Sequence, residues 1–368
     1  MLGVLAVGYW LLAVHPTHIN LREVQQFWNA SIQGYAFTMI EKELWHPVAL
    51  ADALTDAPLA VELLERSLVL WRDGSGAVHA WADKCPHRGA RLSLGKVCAG
   101  RLECSYHGWQ FESKGRCVHV PALPEFVPPV GHAARTYVCA EQYGLIWVRM
   151  VASHDAVTHA MPVFEAEQDA QLRKVNCGPY DVATSAPRIV ENFLDMAHFS
   201  FVHEHWLGSR EVAQIADYTV EPTHTGIRAT GCRAVQPKSN LHSVAAAQVD
   251  YTYEVTAPYA AVLTKSPEAG SVAVAGWREA IALFICPMGH ERSRVWFRLA
   301  VADFTSLDQT LRDFQHTIFT QDQPVLESQN PKRLPLDLRA EAHTSVDKAS
   351  SAYRRFLSQQ SITFGVIP

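Results

Sequence analysis

The chain has 368 residues, of which 48% are hydrophobic and 19% charged, with 32 Lys+Arg against 37 Asp+Glu for a formal charge of −5. A chain so apolar is not disordered, and without a basic excess it has no electrostatic footprint for a nucleic-acid backbone. Twenty Gly and twenty Pro are ordinary numbers, excluding collagen-like or low-complexity structure, and the length suggests two domains or one large one.

Leu2 to Val14 is an apolar run without Lys or Arg. It lacks the basic flank of a secretory signal and is shorter than the roughly 20 residues that span a bilayer. Residues 1–43 therefore read as an N-terminal extension, with Met39 as an alternative start and no stable membrane association. A membrane anchor is the rival reading of this run. The compact part begins near Leu44-Trp45-His46-Pro47.

Residues 44–160 read as mostly β. Ser67–Trp71 and Ala77–Trp81 flank Asp73-Gly74-Ser75-Gly76, a hairpin signal, and Leu145–Met150 is a further apolar strand. A Pro-rich stretch from Pro121 to Pro129 is expected on the surface. In residues 161–368, Ile189, Phe193, Met196 and Ala197 recur at helical spacing within Arg188–Val202. Residues 250–256, parts of 271–285, and Val295–Val301 alternate like strands. A helix is predicted from Leu307 to about Ser328, capped by Thr305 or Ser306 and kinked or broken at Pro324. The fold class is α+β: an N-terminal antiparallel β domain, then a domain with an antiparallel sheet and helices.

The strongest chemical signal is Cys85-Pro86-His87, then sixteen residues beginning Arg88-Gly89, then Cys104-Ser105-Tyr106-His107-Gly108. Two turns each present one thiol and one imidazole. Glycines at 89 and 108 permit such turns. Two Cys and two His suit a [2Fe–2S] cluster whose potential histidine ligation raises. A Cys2His2 zinc site uses the same residue types, but zinc fingers pair Cys with Cys and His with His. The other six cysteines are scattered and read as buried or free thiols of a reducing, cytoplasmic setting.

These segments, CPHRGARLSLG and LECSYHGWQF, resemble the Rieske domain of Rieske non-haem iron oxygenases. The resemblance implies that Cys85 and Cys104 bind one iron, and His87 and His107 the other. It also implies a helix-grip (START-like) catalytic domain at 161–368.

Downstream lies Asn192-Phe193-Leu194-Asp195-Met196-Ala197-His198, with His203 five residues later. On a helix, Asn192, Asp195 and His198 lie near one face. His203 joins them only if the helix ends or distorts. Two histidines and a carboxylate make the facial triad of Fe(II) oxygenases. By resemblance the carboxylate lies within Phe319–Gln329, where Asp322 is assigned, with Glu327 and then Asp313 as fallbacks and His205 as a decoy for His203. The resemblance also implies that Asp195 links His198 to His107 of a neighbouring subunit, in a head-to-tail homotrimer. Asn192 is carried beside it as a further catalytic candidate.

The similarity covers residues 44–358 and looks closest to methylxanthine N-demethylase oxygenases, with vanillate and dicamba O-demethylase oxygenases more distant. It implies O2 activation to oxidise a small aromatic or heterocyclic substrate by N- or O-demethylation. Ring cis-dihydroxylation or methyl hydroxylation are the alternatives, and a pure Rieske electron carrier is the non-enzyme one. No G-x-G-x-x-G motif follows a strand, so electrons are expected from a separate NAD(P)H-dependent reductase or ferredoxin. Tyr251, Tyr253, Phe284 and Trp296 are candidate pocket walls. Arg278 is a candidate partner for a substrate carboxylate.

Overall fold

The computed structural model describes residues 39–151, 159–274 and 277–368. The apolar run 2–14, and the extension up to residue 38, lie outside them. Ile40–Pro368 forms one compact unit.

Short strands come first: β1 (His46–Leu50), β2 (Leu59–Leu63), β3 (Arg66–Arg72), β4 (Val78–Ala82), β9 (Thr136–Gln142) and β10 (Leu145–Arg149). They form a six-stranded sheet in the order β1-β10-β9-β4-β3-β2. The expected hairpin is β3–β4, pairing Trp71 with His79. Its turn is held by Asp73, whose Oδ1 accepts from the amides of Ser75 and Ala77. Inserted between β4 and β9 is a second sheet of β5 (Lys96–Cys98), β6 (Arg101–Glu103), β7 (Gln110–Phe111) and β8 (Cys117–His119). The Pro121–Pro129 segment follows on the surface, with Leu123 and Val127 59% and 83% exposed.

The second half is built on a seven-stranded antiparallel sheet, ordered β11-β17-β16-β15-β14-β13-β12. Its strands are β11 (Arg173–Val182), β12 (Thr219–Pro222), β13 (Ile227–Gln236), β14 (Ala247–Ala257), β15 (Ala260–Pro267), β16 (Glu279–Gly289) and β17 (Arg292–Val301). β16 is buried almost throughout because both its faces are covered. One face carries Phe284, whose ring stacks on Tyr143 and meets Trp147 of the first sheet edge-on. The other lies beneath four helices: α1 (Ala186–Leu194), α2 (Phe199–Val202), α3 (Asp308–Ser328) and α4 (Lys348–Gln359). Phe193 of α1 and Phe319 of α3 both reach Phe297 of β17, closing helices over sheet. This is the expected α+β architecture.

Three local expectations are corrected. The helical spacing of 188–202 does not give one helix. α1 stops at Leu194, and Asp195 is extended, with φ −90° and ψ 132°. Its Oδ1 accepts the Ala197 amide, a local bond that competes with helix continuation. Neither Thr305 nor Ser306 caps α3; its first turn follows Leu307. Their amides donate instead to Asp303 Oδ1. Finally, α3 runs unbroken through Pro324. The proline falls near the C-terminal end, and buried Phe319, Asp322 and Leu326 anchor the turns around it.

Candidate active site

The four Rieske-motif residues sit on two turns of the small sheet, between β4 and β5 and between β6 and β7. The turns close alike. The Gly89 amide donates to the Cys85 carbonyl and the Gly108 amide to that of Cys104, both at 2.9 Å. Gly89 and Gly108 have φ of +74° and +68°. A Cβ at Gly108 would also meet Pro121 at 3.0 Å. C-x-H and C-x2-H are thus two versions of one five-residue turn, an equivalence hidden by the unequal spacing.

Cys85 and Cys104 are buried neighbours and neither is in a disulfide; the other six cysteines are free as well. Burial, with the Cys104 thiol adding to it, pushes the Cys85 thiol up to about 11. The rings of His87 and His107 lie 4.5 Å apart. Desolvation, and then His107, lower the His87 pKa. Its Nδ1 is buried without a hydrogen-bond partner. Two thiols, two imidazoles and one orphaned ring nitrogen at one place form a donor set that fits a [2Fe–2S] cluster. Trp109 stacks on His87, His132 on Trp109, and Phe126 of the Pro-rich segment reaches His132. His107 itself is exposed.

The second cluster lies between α1, α2 and α3. The turn at Asp195 swings the chain so that His198 and His203 meet, Nε2 to Nε2, at 3.2 Å. Asp322 Oδ1 stands 3.4 Å from His198 Nε2 and 3.2 Å from His203 Nε2. Three ligand atoms converge, two nitrogens from the two ends of α2 and one oxygen from α3, which fits a facial triad. Each histidine is held from behind. His198 Nδ1 lies 3.1 Å from Asp195 Oδ2, and His203 Nδ1 lies 2.8 Å from Gln321 Oε1. Burial alone would lower the His198 pKa, but the Asp195 hydrogen bond and the Asp322 charge outweigh it. Asn192 reaches the cluster too, donating from Nδ2 to Asp322 Oδ1 at 3.4 Å.

The alternatives lie elsewhere. Glu327 accepts the Ala183 amide and a Gln323 bond, and Asp313 is exposed beside Gln309. His205 is exposed, at φ +69°. Gln321 is the residue that sequence reasoning missed. Its place next to Asp322 was visible, but not that one helical step would aim it at His203.

The cluster opens into a concave cavity lined mostly by apolar and aromatic side chains, as small-molecule sites are. Tyr251 and Tyr253 line it, as expected, with Phe193, Phe297 and Phe319. Phe284 and Trp296 do not. Strand side chains alternate between faces, and these two point toward the first sheet. Arg278 is also outside it, paired with Asp169 at 2.8 Å.

Residues 44–141 match the family model of the Rieske [2Fe-2S] domain, and residues 182–360 that of the vanillate O-demethylase oxygenase C-terminal domain. Methylxanthine N1-demethylase NdmA of Pseudomonas putida is 32% identical over 328 residues, spanning 86% of this chain and 88% of that protein. Methylxanthine N3-demethylase NdmB of the same species is 29% identical, spanning 88% and 90%. The solved structure of Pseudomonas putida NdmA with caffeine matches with a TM-score of 0.75 at 31% identity, covering 86% of this chain and 90% of that one.

Proposed function

The chain belongs to the Rieske non-haem iron oxygenases, and from that premise we propose that it removes an N- or O-methyl group from a small planar heterocycle or aromatic compound, releasing formaldehyde. In this reading residues 44–160 carry electrons and 161–368 activate oxygen. Cys85 and Cys104 hold one iron of the [2Fe–2S] cluster and His87 and His107 the other. His198, His203 and Asp322 hold Fe(II). The observation that carries the proposal is the convergence of these last three side chains on the floor of an apolar, aromatic-walled cavity.

When bound, Fe(II) supplies open positions for O2, and the cluster supplies single electrons. The chain's own groups do the rest. Asp195 accepts from His198 Nδ1–H and Gln321 from His203 Nδ1–H, so each Nε2 is left as the lone-pair donor facing Asp322. Asn192 holds one lone pair of Asp322. The Phe and Tyr walls exclude water and stack a planar ring. Gln321→Leu is expected to weaken Fe(II) retention by about 10- to 100-fold with the cluster's colour unchanged, measured by iron content after dialysis.

The hydrogen bonds of Asp195 within the chain go to residues 197 and 198. In this reading its link to His107 runs to a second copy, in a head-to-tail homotrimer. Exposed Tyr106, Leu94 and Val127 near the cluster-bearing turns support a docking face there. Electrons come from a separate NAD(P)H-dependent reductase or ferredoxin. The six cysteines outside the cluster turns, none in a disulfide, support a cytoplasmic setting; among the described residues no helix is long and apolar enough to cross a membrane.

The test is metal and acid-labile sulfide analysis of the purified protein, followed by turnover with a reductase and a panel of methylated compounds. About three irons and two sulfides per chain, with formaldehyde matching product, are expected. Two irons after Fe(II) reconstitution would remove the mononuclear site. A cis-diol without formaldehyde would replace demethylation by ring dihydroxylation.

A further inference from the structure

The cavity wall facing the helices is one face of the seven-stranded sheet, and its side chains fall into rows. Tyr253, Leu263 and Ile281 are cross-strand neighbours and form an apolar row. Two residues along, roughly 7 Å away, Tyr251, Lys265 and Glu279 form the next row. Lys265 and Glu279 are thus a directly opposed pair on β15 and β16, and both line the cavity. Their side chains are only 5% and 8% exposed, with Lys265 Nζ 3.0 Å from Glu279 Oε2.

Burying an ion pair in an apolar wall rarely stabilises a fold beyond what apolar residues of similar volume would do. This pair is also incompletely satisfied. Lys265 Nζ donates to the Ser239 carbonyl at 2.8 Å and faces Glu279, leaving capacity for a further donor bond. Glu279 Oε2 lies off the direction of a proper hydrogen bond and has no hydrogen-bond partner. The wall therefore offers one donor beside one acceptor, with no net charge. Among the described residues lining the cavity, Lys265 is the one Lys or Arg and Glu279 opposes it, so no uncompensated Lys or Arg there could hold a carboxylate.

We propose that Lys265 and Glu279 form a donor–acceptor clamp that selects neutral heterocycles with a lactam edge, C=O beside N–H, over aromatic carboxylates. Lys265 donates to the carbonyl and Glu279 accepts from the adjacent N–H, as paired side-chain groups read a base edge. The inference rests on the demethylase reading only for where the methyl group lies, toward His198 and His203.

The test is calorimetric titration of the iron-loaded holoenzyme with theobromine, which keeps an N–H between two carbonyls, with caffeine, which has a methyl there, and with vanillate. Theobromine should bind at least about 10-fold more tightly than either. In Lys265→Met/Glu279→Leu, which strands no buried charge, theobromine affinity should fall about 10- to 100-fold, to the caffeine level. The visible spectrum of the cluster reports that the variant is folded, and the theobromine-to-caffeine ratio of the unmodified enzyme needs no variant at all. Absence of theobromine binding, tighter binding of vanillate, or an affinity unchanged in the folded double variant would each overturn the clamp. Formaldehyde assays keep the two proposals apart. Release from vanillate alone would sink the clamp and leave demethylation standing. Clamp-dependent theobromine binding, with no formaldehyde from any methylated compound, would do the reverse.

Discussion

His198→Ala is expected to keep the red-brown spectrum of the cluster while turnover falls by more than about 100-fold, a larger loss than removing a group behind a ligand. The thiol and imidazole turns belong to the small sheet, whereas His198 begins α2, so the imidazole can be deleted without touching Cys85 or His87. Iron per chain should drop by about one with sulfide unchanged. Normal turnover in this variant would show that oxygen is not activated at His198, His203 and Asp322. Asp195→Asn provides the contrast. Both metals should remain, since Asp195 touches only Nδ1 of His198, but reduced cluster should deliver its electron more slowly in a single turnover. An unchanged rate would remove Asp195 from the electron path.

The largest expected stability loss lies away from the iron. Arg188 and Arg354, 3% and 2% exposed, form a closed network with Glu191 and Glu341. Arg354 binds Glu191 through Nε at 2.7 Å and Nη2 at 3.0 Å. The network joins α1 to α4 and to the loop carrying Glu341. Arg354→Met leaves two partly buried carboxylates with Arg188 as their remaining guanidinium partner, and should cost about 2–3 kcal/mol in urea unfolding. Because α1 leads directly into Asp195, iron retention should fall with it. A stability change under about 1 kcal/mol would mean that water replaces the guanidinium at little cost.

The same network sets an acid limit. Burial acts to raise the Glu341 pKa, yet Arg188 and Arg354 hold it down to about 2, below its ordinary 4.5. A carboxylate with a depressed folded pKa stabilises the protein above its unfolded pKa, and that contribution is lost as pH falls from about 4.5 toward about 2. Glu341→Gln should flatten the stability profile over this interval. A profile as steep as that of the unmodified protein would assign the acid loss to other groups.

How much was legible in the sequence depended on the range of the interaction. The thiol and imidazole turns are local, so Cys85, His87, Cys104 and His107 could be read from spacing and glycine positions. The strands flanking Asp73–Gly76 were legible for the same reason. The meeting of His198 with His203 was not, because helical periodicity continues through Asp195 and only the carboxylate's bond to the Ala197 amide interrupts the helix. Nor was the facing of the aromatic candidates. Tyr251 and Phe284 both sit in apolar strand patterns, and which one sees the cavity depends on strand parity and on what covers the opposite face. Asp322 was found by resemblance. Its distance of more than a hundred residues from the histidines leaves no local trace.

α3 carries Gln315, Ile318 and Phe319 on the cavity and, within two turns, Gln321 and Asp322 at the cluster. These side chains share one rigid rod, so their relative positions are fixed by count. Exchanging Gln315 or Ile318 alters the shape offered to a substrate without displacing the carboxylate. Inserting or deleting one residue between 315 and 322 would turn Asp322 by about 100° away from the histidines. Descendants of this protein are therefore free to change what they accept by point substitution along α3, while length changes in that stretch are closed to them. A lineage can diversify its diet at that helix but cannot change the helix's length there.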